Sequence, residues 1–171
     1  MKLFQENKSV FSITRSGELS LSGTAFTELL QAVVSKEASF RFQVKGFSMS
    51  PFIKDGDVVT ISPLVNAEPC FGDVVAFLHP DTKRLIIHRV VGGKGDSYLM
   101  RGDNAFEMDG LVSKENILGR LKKVERNRRE LLIGLGPERV LIAFLSRRKL
   151  LSPILLLSWR LIRPFAKRWI L

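Results

Sequence analysis

Cysteine is almost missing from this 171-residue chain: Cys70 stands alone, so no disulfide can close within it. Histidine is nearly as scarce. With only His79 and His88 beside one cysteine, a four-ligand zinc site would need unusual carboxylate ligation, and neither a metal nor a cofactor is expected. No stretch reaches about 18 uninterrupted apolar residues, which excludes an ordinary membrane-spanning helix from the expectation. The first residues lack the apolar run of a secretory signal, since Lys2, Gln5, Glu6, Asn7 and Lys8 interrupt it, so neither a signal peptide nor an N-terminal anchor is expected. One sign of charge is absent from the other end: residues 139–171 hold eight Lys or Arg and no acid.

What is present suits one folded domain with an appendage. At 45% hydrophobic and 26% charged, the chain has the apolar surface to build a core rather than stay disordered. The net charge of +10 is unevenly placed. Residues 1–119 carry 13 Lys or Arg against 14 Asp or Glu, and residues 120–171 carry 14 against 3. Proteins that bind nucleic acid through a folded face spread their cations over it. Here the body is neutral and the tail is basic, so nucleic acid is not an expected partner.

Residues 9–22 alternate loosely and read as one or two short strands around a turn at Ser16-Gly17. Thr24 then reads as an N-cap, with Phe26, Leu29, Leu30, Val33 and Val34 on one face of a helix over about 25–36. From Phe40 the pattern turns to β, with Phe40, Phe42 and Val44 alternating before Gly46. Further short strands are expected at Val58–Ile61, Val74–Leu78, Leu85–Val91 and Tyr98–Met100, with Ile117–Val124 closing the body. Gly56-Asp57-Val58-Val59 and Gly72-Asp73-Val74-Val75 repeat a motif. Shared turn chemistry explains this better than duplication, since Gly frees φ and Asp bonds nearby N–H groups. The predicted class is mostly β (α+β), with small sheets or a partly open barrel over residues 1–130.

Residues 131–171 form a second, basic and apolar segment. Pro153 and Pro164 divide it into helices of modest length. Its Leu, Trp159 and Trp169, interleaved with cations, have the composition of helices lying in a bilayer surface. The other reading is a helical hairpin packed on the body with a solvated basic face. The single-signed charge favours the membrane surface, on an unassigned side, as partner and location for residues 139–171.

Chemistry can be carried by a few residues. Ser48, in G-F-S-M-S-P, follows a glycine at a strand break, where a hydroxyl can be presented and its own N–H left free for an oxyanion. Alone that is a turn with a serine. His88 shares a strand face with Ile86 and Val90; it is either a core histidine satisfied by backbone or a general base. His79, in a loop, is given no role. In Arg101-Gly102-Asp103-Asn104 and six residues on at Asp109, either Asp can accept from a histidine ring nitrogen.

Together, G-x-S-M-x-P, G-D-V-V-A-F, I-H-R-V-V and R-G-D-N with Asp109 resemble the type I signal peptidases over about residues 46–109. The resemblance implies the β-rich peptidase fold shared with LexA-type repressors. Most bacterial members have Lys where this chain has His88; histidine resembles the endoplasmic-reticulum, archaeal and sporulation-associated branch. The resemblance assigns Ser48 as nucleophile and oxyanion donor through its N–H, and His88 as base. Asp109 is the preferred partner, and Asp103 a structural or supporting acid. Phe47 and Met49 are expected to touch substrate, an extended peptide or precursor protein with small residues near the scissile bond. Two other functions stay open: self-cleavage as in LexA-type regulators, and a non-catalytic peptide-binding adaptor at a membrane surface.

Overall fold

The computed structural model describes residues 11–13, 19–21, 23–132, 134–151 and 153. The first strands, β1 (Phe11–Ile13) and β2 (Leu19–Leu21), pair antiparallel with Phe11 opposite Leu21. Helix α1 runs Gly23–Val34, so Thr24 lies inside its first turn rather than capping it. Leu30 is fully buried on its inner face, where the hydrophobic spacing places it.

The body is one antiparallel sheet of eight strands that does not close. It comprises β3 (Phe40–Gln43), β4 (Val58–Ser62), β5 (Val74–Leu78), β6 (Leu85–Lys94), β7 (Ser97–Arg101), β8 (Gly110–Ser113), β9 (Ile117–Arg126) and β10 (Arg129–Leu131). The order is β3-β4-β9-β5-β6-β7-β8, with β10 paired to β9. The mostly-β class holds. Strand β9 does not close the body at an edge: it runs between β4 and β5 at the centre. Such a long-range pairing leaves no mark in local periodicity, which is why the order was not readable from the chain.

Alternation along β5 divides the core. Val74 and Ala76 join one apolar cluster with Leu30, Met49, Val59 and Ile61. Val75 and Phe77 join another with Val90, Tyr98, Met100 and Val112. A strand buried on both faces needs apolar residues at successive positions, hence the unbroken Val-Val-Ala-Phe-Leu.

The repeated Gly-Asp pairs do the same local work twice. Gly56 and Gly72 adopt φ of +84° and +95°, in the left-handed region that suits glycine. Asp57 then accepts from the Lys54 N–H at 2.8 Å, and Asp73 from the Cys70 N–H at 3.0 Å. Each carboxylate also meets an arginine of β9: Arg126 grips Asp57 through two nitrogens, and Arg120 lies 3.3 Å from Asp73. Burial works to raise the Asp57 pKa, but Arg126 and the Lys54 N–H hold it below the ordinary carboxylate value.

Helix α2 (Arg139–Arg147) packs on β6 and buries Ile142, Ala143 and Ser146. Val140, Leu141 and Phe144 stay exposed on its other side. This part of the basic segment is therefore docked on the body and still presents an apolar outer face. Trp159, Pro164 and Trp169, and most of the predicted tail helices, lie outside the described residues. Among the described residues no helix is long and apolar enough to cross a membrane.

Candidate active site

His88 occupies β6 opposite Val75, its ring near that of Phe77 and its side chain nearly buried. The ring nitrogens face two partners. Nδ1 lies 2.6 Å from Asp109 Oδ2, and Nε2 lies 2.8 Å from Ser48 Oγ. An ionised carboxylate only accepts, so Nδ1–H donates to Asp109. That leaves the Nε2 lone pair to accept the Ser48 hydroxyl proton. Asp109 is itself largely shielded, its side chain 13% exposed, so its charge acts on the ring with reduced solvent screening.

Three chain segments converge to make this row. Ser48 stands in the loop after β3, where Gly46 takes φ +113° and its N–H donates to Asp55 Oδ1 at 2.8 Å. The Ser48 carbonyl accepts from the Asn104 N–H at 2.7 Å, and the Phe47 carbonyl from Asn104 Nδ2 at 3.3 Å. The loop between β7 and β8 thus holds the serine loop directly and brings Asp109 to the ring. The Ser48 N–H has no acceptor among the described hydrogen bonds.

Gly102 opens the space for this convergence. A Cβ there would lie 2.6 Å from the Ser48 carbonyl oxygen and 2.8 Å from His88 Nε2. Only a hydrogen fits between the serine loop and the imidazole. In the sequence this glycine reads as part of a turn, and nothing local distinguishes close approach from turn geometry.

Asp103 goes elsewhere. Both its oxygens accept from Arg89, at 2.8 Å from Nε and 2.7 Å from Nη2, and both side chains are fully buried. Arg89 Nη1 also donates to the Gly72 and Gly134 carbonyls, each at 2.9 Å. The geometry therefore gives Asp103 a structural place and makes Asp109 the acid on His88. Arg89, overlooked in the sequence reading, had one available signal: an arginine in a strand whose neighbours Val90 and Val91 are both apolar requires a buried acid. Arg101 is buried too, donating to the Ala105 carbonyl at 3.0 Å and to the Ser146 carbonyl of α2.

The other predicted contacts separate. Met49 is 4% exposed in the core, its sulfur facing the Asp103 N–H at 3.5 Å, yet it also lines the cleft. Phe47 is 68% exposed and lies outside the cleft lining. His79 stays in the hairpin between β5 and β6, its Nδ1 facing the Asp81 and Thr82 N–H groups.

Ser48 and His88 open into a cleft of about 1420 Å3. Its walls are the start of α1, residues 42–46, and residues 82–88. The last of these presents a strand edge that is unpaired among the described residues. Strand β5 covers β6 from Leu85 to Arg89, but β7 pairs with β6 only from Arg89 onward. The Arg84 carbonyl and both Val90 backbone groups face β5. Antiparallel alternation then turns the N–H and C=O of Leu85 and Ile87 the opposite way, toward the uncovered edge.

A family model described as Peptidase S24-like matches residues 13–122. No curated protein matches the chain.

Proposed function

The chain belongs to the Peptidase S24-like family, and from that premise we propose that it is a serine endopeptidase of the signal-peptidase type, working by Ser48, His88 and Asp109. The observation that carries the proposal is the row from Ser48 Oγ to His88 Nε2 at 2.8 Å and from His88 Nδ1 to Asp109 at 2.6 Å. His88 takes the Ser48 proton as the oxygen attacks a peptide carbonyl, forming a tetrahedral oxyanion. The Ser48 N–H donates to that oxyanion. His88 then hands its proton to the leaving amine, giving an acyl-serine, and water attacks the ester by the same route. Asp109 orients the ring and stabilises the imidazolium between these steps.

The substrate is an extended peptide. The free N–H and C=O groups of Leu85 and Ile87 support its addition as a strand beside β6. Small residues at the scissile bond follow from the resemblance to signal peptidases alone. Hydrolysis of a small-residue peptide by the purified protein tests the assignment, with Ser48→Ala and His88→Ala each reducing kcat by at least about 10³-fold. Undiminished turnover in both variants would sink it.

Self-cleavage is the second reading, favoured by Gly23 and Thr24, which place the start of α1 on the wall of the same cleft. It predicts Ser48-dependent shortening of the protein at a rate independent of its concentration. Attachment to a membrane surface belongs with either reading. Its support is the outer face of α2, where Leu141 and Phe144 are 60% and 46% exposed beside Arg147 and Arg148. Sedimentation with anionic liposomes, weakened by Leu141→Glu with Phe144→Glu, is the corresponding test.

A further inference from the structure

Resting on the peptidase reading, we propose that the cleft selects peptides whose apolar stretch is flanked by acidic side chains. Its lining includes the apolar Phe42, Leu85 and Ile87 and, among the described residues, no Asp or Glu. It does contain Lys45 on one wall and Lys83 with Arg84 on the other. All three are exposed, and none takes part in an ion pair among the described residues.

What sets these three apart is their grouping around one concave surface, since Lys36, Lys94 and Lys122 also lack ion-pair partners among the described residues but lie outside the lining. Elsewhere on the body, Arg41 pairs with Glu125, Lys114 with Glu68, Lys123 with Glu125 and Glu130, and Arg126 with Asp57. The cleft cations have no such partner among the described residues, and they face one another across the slot. The acids closest in sequence do not supply one. Asp55 accepts from the Gly46 N–H, and Asp81 lies in the hairpin turn outside the lining. Cations gathered in a concave surface with low-dielectric walls focus their field on whatever enters.

Position along the slot follows from strand geometry. Arg84 directly precedes β6 and stands four residues before His88, about 13 Å back along the strand at roughly 3.3 Å per residue, while Lys83, at φ +55° in the turn, sits next to it. Lys45 precedes Ser48 by three. On the Arg84 side the acid of a bound peptide therefore falls about four residues from the scissile bond, with the apolar positions between.

Binding to the Ser48→Ala variant tests selection without requiring turnover. The probes are fluorescein-labelled peptides with an alternating Ala and Val centre, flanked on both sides by Glu, by Gln or by Lys. Each exposed pair is worth roughly two- to fivefold, so the Glu peptide should bind about tenfold tighter than the Gln peptide at low salt. The preference should shrink toward unity at high salt. Lys83→Glu with Arg84→Glu, added to Ser48→Ala, should reverse the order and favour the Lys peptide. Equal binding of the Glu and Gln peptides, no binding of any peptide, or an acidic preference that survives the charge reversal would overturn the proposal. Cleavage by the wild-type protein is scored separately. Discrimination by the Ser48→Ala variant, with no turnover by the wild type, leaves charge selection standing and removes the peptidase reading. Turnover blind to flanking charge does the reverse.

Discussion

Replacing Gly102 by alanine would put a methyl group between the serine loop and the imidazole. The new carbon would lie 2.6 Å from the Ser48 carbonyl oxygen, 2.8 Å from His88 Nε2 and 3.0 Å from Ala105 Cβ. Non-bonded carbons settle at about 3.5–4.0 Å, so relief requires a displacement on the order of 1 Å. Neither neighbour is free to give. The Ser48 carbonyl is held by the Asn104 N–H at 2.7 Å, and the imidazole by Asp109 at 2.6 Å. The displacement therefore opens the Ser48–His88 hydrogen bond, and a misplacement of about 1 Å costs around 10²-fold in rate. Overpacking itself costs about 1–3 kcal/mol, well within the roughly 5–15 kcal/mol that keeps a domain folded. The assay is kcat/KM on a peptide substrate beside urea unfolding, with Gly93→Ala as comparison. A Cβ at Gly93 meets the Ser97 carbonyl at 2.7 Å, a similar clash within the β6–β7 hairpin. Gly93→Ala should lose stability and keep kcat/KM, while Gly102→Ala loses kcat/KM about a hundredfold. An NMR signal of the His88 Nδ1 proton, shifted only in Gly102→Ala, reads the same change without turnover. Wild-type kcat/KM in Gly102→Ala would refute the reasoning.

Asp109→Asn keeps the size of the side chain but removes the charge on His88, and should lower kcat about 10³- to 10⁴-fold with little change in the urea midpoint. A large stability loss with modest loss of kcat would assign Asp109 to structure instead. Asp103→Asn should do the opposite first, since Arg89 would keep a buried charge without its carboxylate; the expected cost is about 3–5 kcal/mol, measured by urea unfolding. A change under about 1 kcal/mol would contradict that account. Asp57 has a folded pKa below its ordinary value of 3.8, so it binds its proton more readily when unfolded. Its contribution is present above that value and lost as pH falls through the folded pKa. The stability gap between wild type and Asp57→Asn should therefore narrow in acid, and a gap equal at pH 7 and pH 2 would remove Arg126 from the explanation.

The members of the candidate site were more legible than the strand order. Ser48, His88 and Asp109 were readable because each belongs to a motif whose order and spacing resemble one family, and residue type limits what each can do. Which acid meets His88 was not fixed by local pattern, because Asp103 and Asp109 share a loop and differ only in the direction that Arg89 imposes. The strands before β8 were visible in alternation and turn residues. The place of β9 was not, since pairing with both β4 and β5 depends on contacts far apart in the chain. Gly102 and Arg89 show the same limit at the site: one matters for space and the other for burial, and both appear only after folding.

Arg89 also bears on where this protein can be cut. Its guanidinium closes on carbonyls at Gly72 and Gly134 as well as on Asp103. A Cβ at Gly134 would lie 3.2 Å from that of Phe52, which marks how tightly the segment is tucked in. The family match ends at residue 122 and the basic segment begins at 131, but neither position is a seam. A chain severed at either would leave an internal cation short of an acceptor one residue from the imidazole. The same reasoning carries past residue 134, because buried Arg101 needs the Ser146 carbonyl of α2; a unit for expression or grafting therefore extends through α2, and the stretch that looks like an appendage closes the body behind the candidate site.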